Sequence, residues 1–283
     1  MSQVSSALFP RWRRTGRNWA SAWNRAGEQI GFHIITLRYM PAAIFRYRDE
    51  TLRVIAQMSL GVGALALVGG AVVIVLFLTS NTGVLVAVVG YSDLSSIGIE
   101  ALEGFFSAYI NPRLTAPLIT AIGLAATVGA GATAQLGAMR INEEIDALEV
   151  MGVQSIAYLV STRVVASIVI GLPLFCVGLI GGVETTRVLV LLAYEQSSGV
   201  YEHYFNTFLR PTDIVWAFIQ VTLQGLTIML IHTYYGFTAS GGPAGVGEAT
   251  GRAVRSSLIA ATFVTLVAGL ILYGRSGGFH LSG

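Results

Sequence analysis

Five apolar stretches of membrane length alternate with polar segments along this chain, roughly at residues 54–78, 114–138, 158–182, 213–237 and 256–273. A helix needs about 20 apolar residues to cross the hydrocarbon core of a bilayer, and only helices or closed barrels satisfy their backbone there. The pattern therefore predicts an all-α, multi-pass membrane protein. A further apolar piece, Val84–Val89, is too short to cross alone; it either extends span one or dips back into the interface. Ahead of the first span, residues 1–53 are polar and basic. In that arm Trp12, Trp19, Trp23, Ile30, Ile34 and Leu37 fall on one helical face, with Arg17, Arg25, Glu28 and Arg38 mostly elsewhere. This predicts an amphipathic helix lying in the membrane interface, its Trp side chains at headgroup level. No apolar core of signal-peptide length precedes residue 54, so no cleaved signal is expected. Two parts follow: a basic arm over 1–53 and a five-span membrane domain over 54–283.

The polar segments set orientation. With the N-terminus in the cytoplasm, thirteen arginines fall inside and four (Arg113, Arg187, Arg210 and Arg275) outside. Basic loops are held on the cytoplasmic side, so the C-terminus is expected outside. The segment Met139–Gly152 is then inside. It is the most distinctive polar stretch, with Glu143, Glu144, Asp146 and Glu149 crowded together, and Ile141, Ile145, Leu148 and Met151 recurring at steps of four and three. That spacing predicts a short helix with an apolar stripe and an acidic rim. Its early acids suit the positive end of the helix dipole, and Gly152 suits a C-terminal cap. An exposed apolar stripe usually finds a partner, so docking of a soluble protein is expected; the plainer alternative is a solvated loop helix.

Composition narrows the chemistry. Of 283 residues 54% are hydrophobic and 11% charged, against about 25% charged in soluble domains. All 17 basic residues are arginine. Without lysine there is no phosphate-binding Gly-Lys-Ser/Thr loop and no Schiff-base chemistry. The lone cysteine, Cys176, sits in an apolar run and supplies neither disulfide nor metal site. The histidines (His33, His203, His232 and His280) make no metal-binding spacing, and no Gly-x-Ser-x-Gly elbow occurs. No catalytic constellation and no nucleic-acid signal is present. Gln135, Gln220, Gln224 and His232 are the polar residues within spans. They read either as interhelical hydrogen-bonding groups, worth about 0.6 kcal/mol each, or as cavity-facing ones. Gly178 and Gly182 form a small-residue pair suited to close helix packing.

Three blocks resemble the MlaE/YrbE permease family: Gly129-Ala-Gly-Ala-Thr-Ala-Gln-Leu-Gly-Ala-Met-Arg-Ile-Asn-Glu-Glu-Ile-Asp-Ala-Leu-Glu-Val-Met-Gly152 with its continuation to Arg163, the Gly241–Ser257 segment, and Pro112-Arg-Leu-Thr-Ala-Pro117. The resemblance covers roughly residues 50–275. The basic arm and lysine-free composition are most similar to YrbE subunits of actinobacterial Mce systems. It implies an interfacial helix plus five spans, with 139–152 as the coupling helix seated in a groove of an ABC ATPase dimer. The contact residues carried over are Ile141, Glu143, Glu144, Ile145, Asp146, Leu148, Glu149 and Met151. It also implies a second YrbE-type permease subunit, MCE-domain proteins forming a hexameric tunnel, and a lipid cavity for which Arg113, Pro117, Gln135 and Gln224 are candidates. The cargo is a lipid (fatty acid, mycolate, phospholipid or sterol), with import suggested by the actinobacterial relatives. ATP and Mg belong to the ATPase, and no cofactor or metal is implied for this chain. The sequence also departs from the family. Leu114 stands where an acid is common, Val128 where an arginine is common, and Gln135 where a glutamate is common. Charges in membrane segments are usually functional, so these losses imply a subunit sharing its cavity with a more polar partner. The alternatives are an ion-coupled secondary transporter, for which the needed intramembrane carboxylates and repeats are not seen, a lipid-modifying membrane enzyme, and a non-transporting scaffold subunit.

Overall fold

The computed structural model of the protein describes residues 10–60 and 67–273, with side chains at Trp23, 27–58 and 70–273. All regular structure among these residues is helical: α1 Pro10–Phe45, α2 Arg48–Leu60, α3 Leu67–Ser95, α4 Glu100–Ile141, α5 Glu144–Val150, α6 Ile156–Ala193, α7 Ser198–Phe208, α8 Pro211–Phe237 and α9 Gly242–Tyr273. Five of them (α3, α4, α6, α8 and α9) are long and apolar enough to cross a membrane, the number the hydropathy pattern predicts. The protein is an all-α, multi-pass membrane protein. Four π-helical turns interrupt or end these spans, at Asn111–Thr115, Ala125–Gly129, Ile156–Ser161 and Gly269–Tyr273. Each extra residue per turn rotates the faces that follow it.

The first span is displaced from its predicted place. Val54–Leu60 belongs to α2, which buries Val54 and Thr51, and Val84–Val89 lies within α3. The polar run Thr79-Ser-Asn-Thr82 resembles a loop but does not break the helix. Thr79, Asn81 and Thr82 turn their side-chain donors onto the carbonyls of Val75, Phe77 and Leu78, at 2.8, 2.7 and 3.1 Å. Local donors thus satisfied let polar residues pass through a span. The boundary expected at residue 53 falls inside α2.

Small residues decide how closely the spans approach. Gly178 and Gly182 of α6 face α3, where a Cβ on Gly178 would touch Val75 and Thr79. Across the same contact the Thr186 hydroxyl donates to the Gly83 carbonyl at 3.0 Å. Near the start of α4, a Cβ on Gly104 would run into the Tyr201 carbonyl of α7. The central core joins Val75, Leu124, Val164, Ile228 and Met229 from α3, α4, α6 and α8. α1, α2 and α5 gather at one end of the bundle. The short connection at 96–99, α7 and the last turn of α9 gather at the other. α1 rests on the root of α6, where the Ser161 hydroxyl donates to the Thr36 carbonyl at 2.9 Å. It leaves Trp23, Ile30, Ile34 and Leu37 exposed; the side chains of Trp12 and Trp19 lie outside the described residues.

Candidate functional site

The end of the bundle that carries α5 is built from a sharp reversal. At the end of α4, Asn142 and Glu143 donate backbone N–H groups to the carbonyls of Ala138 and Arg140, at 3.1 and 3.3 Å. Glu143 adopts a left-handed backbone, φ +59°, uncommon for a non-glycine residue, and turns the chain into α5. Glu144 and Asp146 sit in the first turn of α5, next to its unpaired N–H groups. The other end closes on Gly152 at φ +76°. There Val153 N–H reaches the Leu148 carbonyl and Gly152 N–H the Glu149 carbonyl, both at 3.0 Å, the paired bonds of a Schellman cap.

The apolar stripe of this segment does not present itself whole to solvent, which corrects the sequence expectation. Ile145 is fully buried against Leu136 and Leu159, with Leu148, Met139, Tyr158 and Phe237 packed around it. Ile141 packs instead with Ala239, Val246 and Ala249 near the start of α9. The physical reason is length: a helix of seven residues is far too short to be stable alone, so most of its apolar residues are used to fasten it to its own bundle. What projects is Met151, 68% exposed, and Val150, 89% exposed. The charges around them are partly engaged. Arg140 pairs with Asp146 at 2.6 Å, and the Ser155 hydroxyl donates to Glu149 at 2.5 Å. Asn142 donates weakly to Glu144 at 3.4 Å. The free surface is therefore a cap of Glu143, Glu144, Ala147, Val150 and Met151. Beside it Ile35 and Tyr39 of α1 line, with Glu149 and residues 152–156, a groove of about 400 Å3.

A second polar cluster fixes the cap from behind. Glu50 of α2, only 9% exposed, accepts two bonds from Arg53, at 2.8 and 2.6 Å, and one from the Tyr158 hydroxyl at 3.0 Å. The pairing with Glu50 raises the pKa of Arg53. Arg163 lies buried nearby and donates to the Leu159 carbonyl at 2.8 Å. Neither the Glu50–Tyr158 link nor its partners are readable from sequence, since the residues stand 108 positions apart.

At the opposite end, the π turn Asn111–Thr115 presents Arg113 inward. Its guanidinium pairs with Asp213 at 2.7 Å, with the two side chains 15% and 5% exposed. It also lies over the rings of Tyr109 and Tyr273, at 4.0 and 5.0 Å. Arg113, a lipid-cavity candidate from sequence, is engaged in an internal ion pair. Below Asp213 one buried face of α8 carries Gln220, Gln224 and His232. Gln224 donates to Thr265 of α9 at 2.8 Å. Its carbonyl oxygen and both amide atoms of Gln220 have no partner among the described residues. The His232 ring lies 2.7 Å from the Thr133 hydroxyl and 3.0 Å from that of Ser257. It ties α4, α8 and α9 together as interhelical glue. Pro117 is buried within α4, whereas Gln135 is exposed on the outer surface of that helix. Of the four residues proposed from sequence for one cavity, Pro117 and Gln224 are buried, Arg113 is half-buried and Gln135 is exposed.

Sequence reasoning missed two acids. Asp213 reads as an ordinary first-turn helix acid, and nothing local signals its partner 100 positions away. Glu103 is fully buried in the first turn of α4 with no hydrogen-bond partner among the described residues. It occupies space left by Gly90, where a Cβ would collide with its carboxylate. No cluster of His, Cys, Asp and Glu among the described residues has the makings of a metal site.

Comparison with known proteins supplies the remaining observation. Residues 62–271, which include α5, the first four spans and all but the last two residues of the fifth, match the family described as Permease MlaE. A 170-residue stretch is 34% identical to the Arabidopsis thaliana protein TRIGALACTOSYLDIACYLGLYCEROL 1, chloroplastic, covering 59% of this chain and 48% of that one. A probable ABC transporter permease protein of Rickettsia prowazekii is 30% identical over 186 residues, 66% of this chain and 72% of the relative. Another from Synechocystis is 35% identical over 153 residues, 52% and 56% respectively. The chain spans about half the length of the plant and cyanobacterial relatives it matches.

Proposed function

This chain belongs to the MlaE permease family, and from that premise we propose that it is the membrane-spanning subunit of an ABC-type lipid transporter in the cell membrane. In this reading an ABC ATPase dimer binds and hydrolyses ATP with Mg, and α5 receives the resulting movement. A second YrbE-type permease completes the membrane core, and an MCE-domain hexamer continues the path outside. The cargo is a lipid, and the direction import. The plant relative's name, that of a galactosylated diacylglycerol, supports a lipid as the cargo class. The resemblance to actinobacterial YrbE subunits supports the MCE partners, the heteromeric core and the direction.

One observation carries the coupling role. α5 is pinned by the buried Ile145 while Glu143, Glu144, Val150 and Met151 remain outside. A partner pressing on that cap moves a body already fastened to α4, α6 and α8. Such a lever needs an apolar anchor behind and a mixed acidic and apolar surface in front; α5 has both. The orientation follows with the cap, α1 and α2 facing the cytoplasm and α7 outside.

The test is the double variant Val150→Asp/Met151→Asp in the chain expressed with its ATPase. Loss of the ATPase from the purified complex, with the permease monodisperse and thermally unchanged, is the expected result. Retention of the ATPase at wild-type yield sinks the assignment. The scaffold alternative is favoured by one specific feature, the engagement of Arg113, a lipid-cavity candidate, by Asp213. Transport of a fluorescent lipid that survives Arg113→Gln would speak for that alternative.

A further inference from the structure

Between α1 and α8 lies a crevice of about 350 Å3, lined by Gln29, Ile30 and His33 on one side and Thr227, Leu230 and Ile231 on the other. Its depth is informative. Thr227 and Ile231 lie ten and six residues before the end of α8 at Phe237, and at 1.5 Å per residue that is about 15 and 9 Å into the span. α1 continues outward from the crevice with the apolar side chains Trp23 and Ile34 uncovered. An open crevice at this depth faces hydrocarbon, not water. Its lining is nevertheless mixed. The apolar walls Ile30, Leu230 and Ile231 suit an acyl chain, while Gln29 and His33 offer hydrogen bonds and Thr227, whose hydroxyl donates to the Leu223 carbonyl at 2.8 Å, can accept one.

His33 makes the site specific. Its Nδ1 is out of contact with water and has no partner among the described residues, and buried polar atoms are seldom left so. The ring is held in place by edge contacts with Phe32 and Tyr234, at 6.0 and 5.9 Å between centroids. Burial lowers its pKa below the usual 6.5, so the imidazole is neutral at pH 7, with one nitrogen donating and one accepting. Among the described residues no charged side chain lines the crevice; a neutral imidazole and an amide match esters and hydroxyls, not a phosphate.

We propose that the α1–α8 crevice is a binding site for one acyl chain and the adjoining ester or hydroxyl of a glycerolipid from the leaflet on the α5 side. The site lies on the flank of the bundle, facing the bilayer. It depends only on the membrane setting and stands whether or not the chain transports lipid. Bound lipid would brace α1 against α8 and so set the angle of the interfacial helix.

The experiment uses the full chain in nanodiscs of phosphatidylglycerol and phosphatidylethanolamine, doped with a phosphatidylethanolamine carrying a diazirine near the ester end of one chain. After irradiation, label is mapped by peptide mass spectrometry. The reference is α9, whose Ile259 and Phe263 are 73% and 66% exposed outside any crevice. We expect peptides holding 29–33 and 227–231 to carry about tenfold more label than those of α9, the ratio that about 1.4 kcal/mol of site preference gives. Thr227→Trp or Ile30→Trp, each filling the crevice, removes the enrichment. His33→Ala lowers it and His33→Gln restores it. Equal labelling of the crevice and α9 in the wild type means annular lipid only and overturns the proposal. So does enrichment that survives both tryptophan variants in monodisperse protein.

Discussion

The two ends of the bundle are fastened by opposite means. At the α5 end the anchor of the short helix is apolar: Ile145 fills a pocket formed by Leu136, Leu159 and their neighbours, and the acids of α5 itself stay at the surface, with Glu50 of α2 buried behind them. At the far end the fastening is polar, with Arg113 and Asp213 locked together out of solvent and Tyr201, Ser107 and Asn111 joined by hydrogen bonds of 2.9 and 3.0 Å. An apolar anchor leaves charges available for a partner, whereas a polar anchor consumes them. At the α5 end the exposed acids lie beside the exposed Val150 and Met151, a mixed surface on which a soluble protein would dock.

Breaking each fastening sharpens the contrast. The largest expected effect is that of Asp213→Ala. It strands Arg113 without its counter-ion, and loss of one partner of a buried pair costs about 3–5 kcal/mol. The detergent-solubilised protein should show a clearly lowered melting temperature, with Asp213→Asn intermediate. An unchanged melting curve would show that the pair bears little load. Next comes Ile145→Ala, a large-to-small change in a buried pocket, expected to cost about 2–5 kcal/mol. Because it loosens α5 alone, proteolysis at 142–153 should rise before global unfolding does. Gly104→Ala pushes a methyl into α7, and overpacking of this kind costs about 1–3 kcal/mol. Hydrogen exchange should rise in 198–208 and stay level in α5; the reverse would misplace the contact. Smallest is Asp146→Ala, which removes an exposed partner of Arg140; surface pairs contribute about 0–1 kcal/mol, so melting should be indistinguishable from wild type.

Residue by residue, legibility tracks the range of the interaction. Gly152 is readable because a left-handed cap is a local demand that glycine meets best. The placement of span one is not, because Thr79, Asn81 and Thr82 look like a break until their donors are seen bonding back along α3. The acids of 143–149 are readable as a charged helix rim. Which of Ile141, Ile145, Leu148 and Met151 faces outward is not, because the stripe serves both the bundle and the surface.

The sequence by itself determined the all-α class, the number of spans and the existence of a short acidic helix between the second and third. These rest on hydropathy, helical period and local caps, all written in neighbouring residues. Only the tertiary structure decided that Arg113 faces Asp213 across 100 positions, that His232 joins three helices, and that α1 and α8 leave a crevice beside His33. Those outcomes depend on how separate helices rotate and meet. Helix rotation is set by small-residue contacts and π turns summed along each span, a quantity no local pattern encodes.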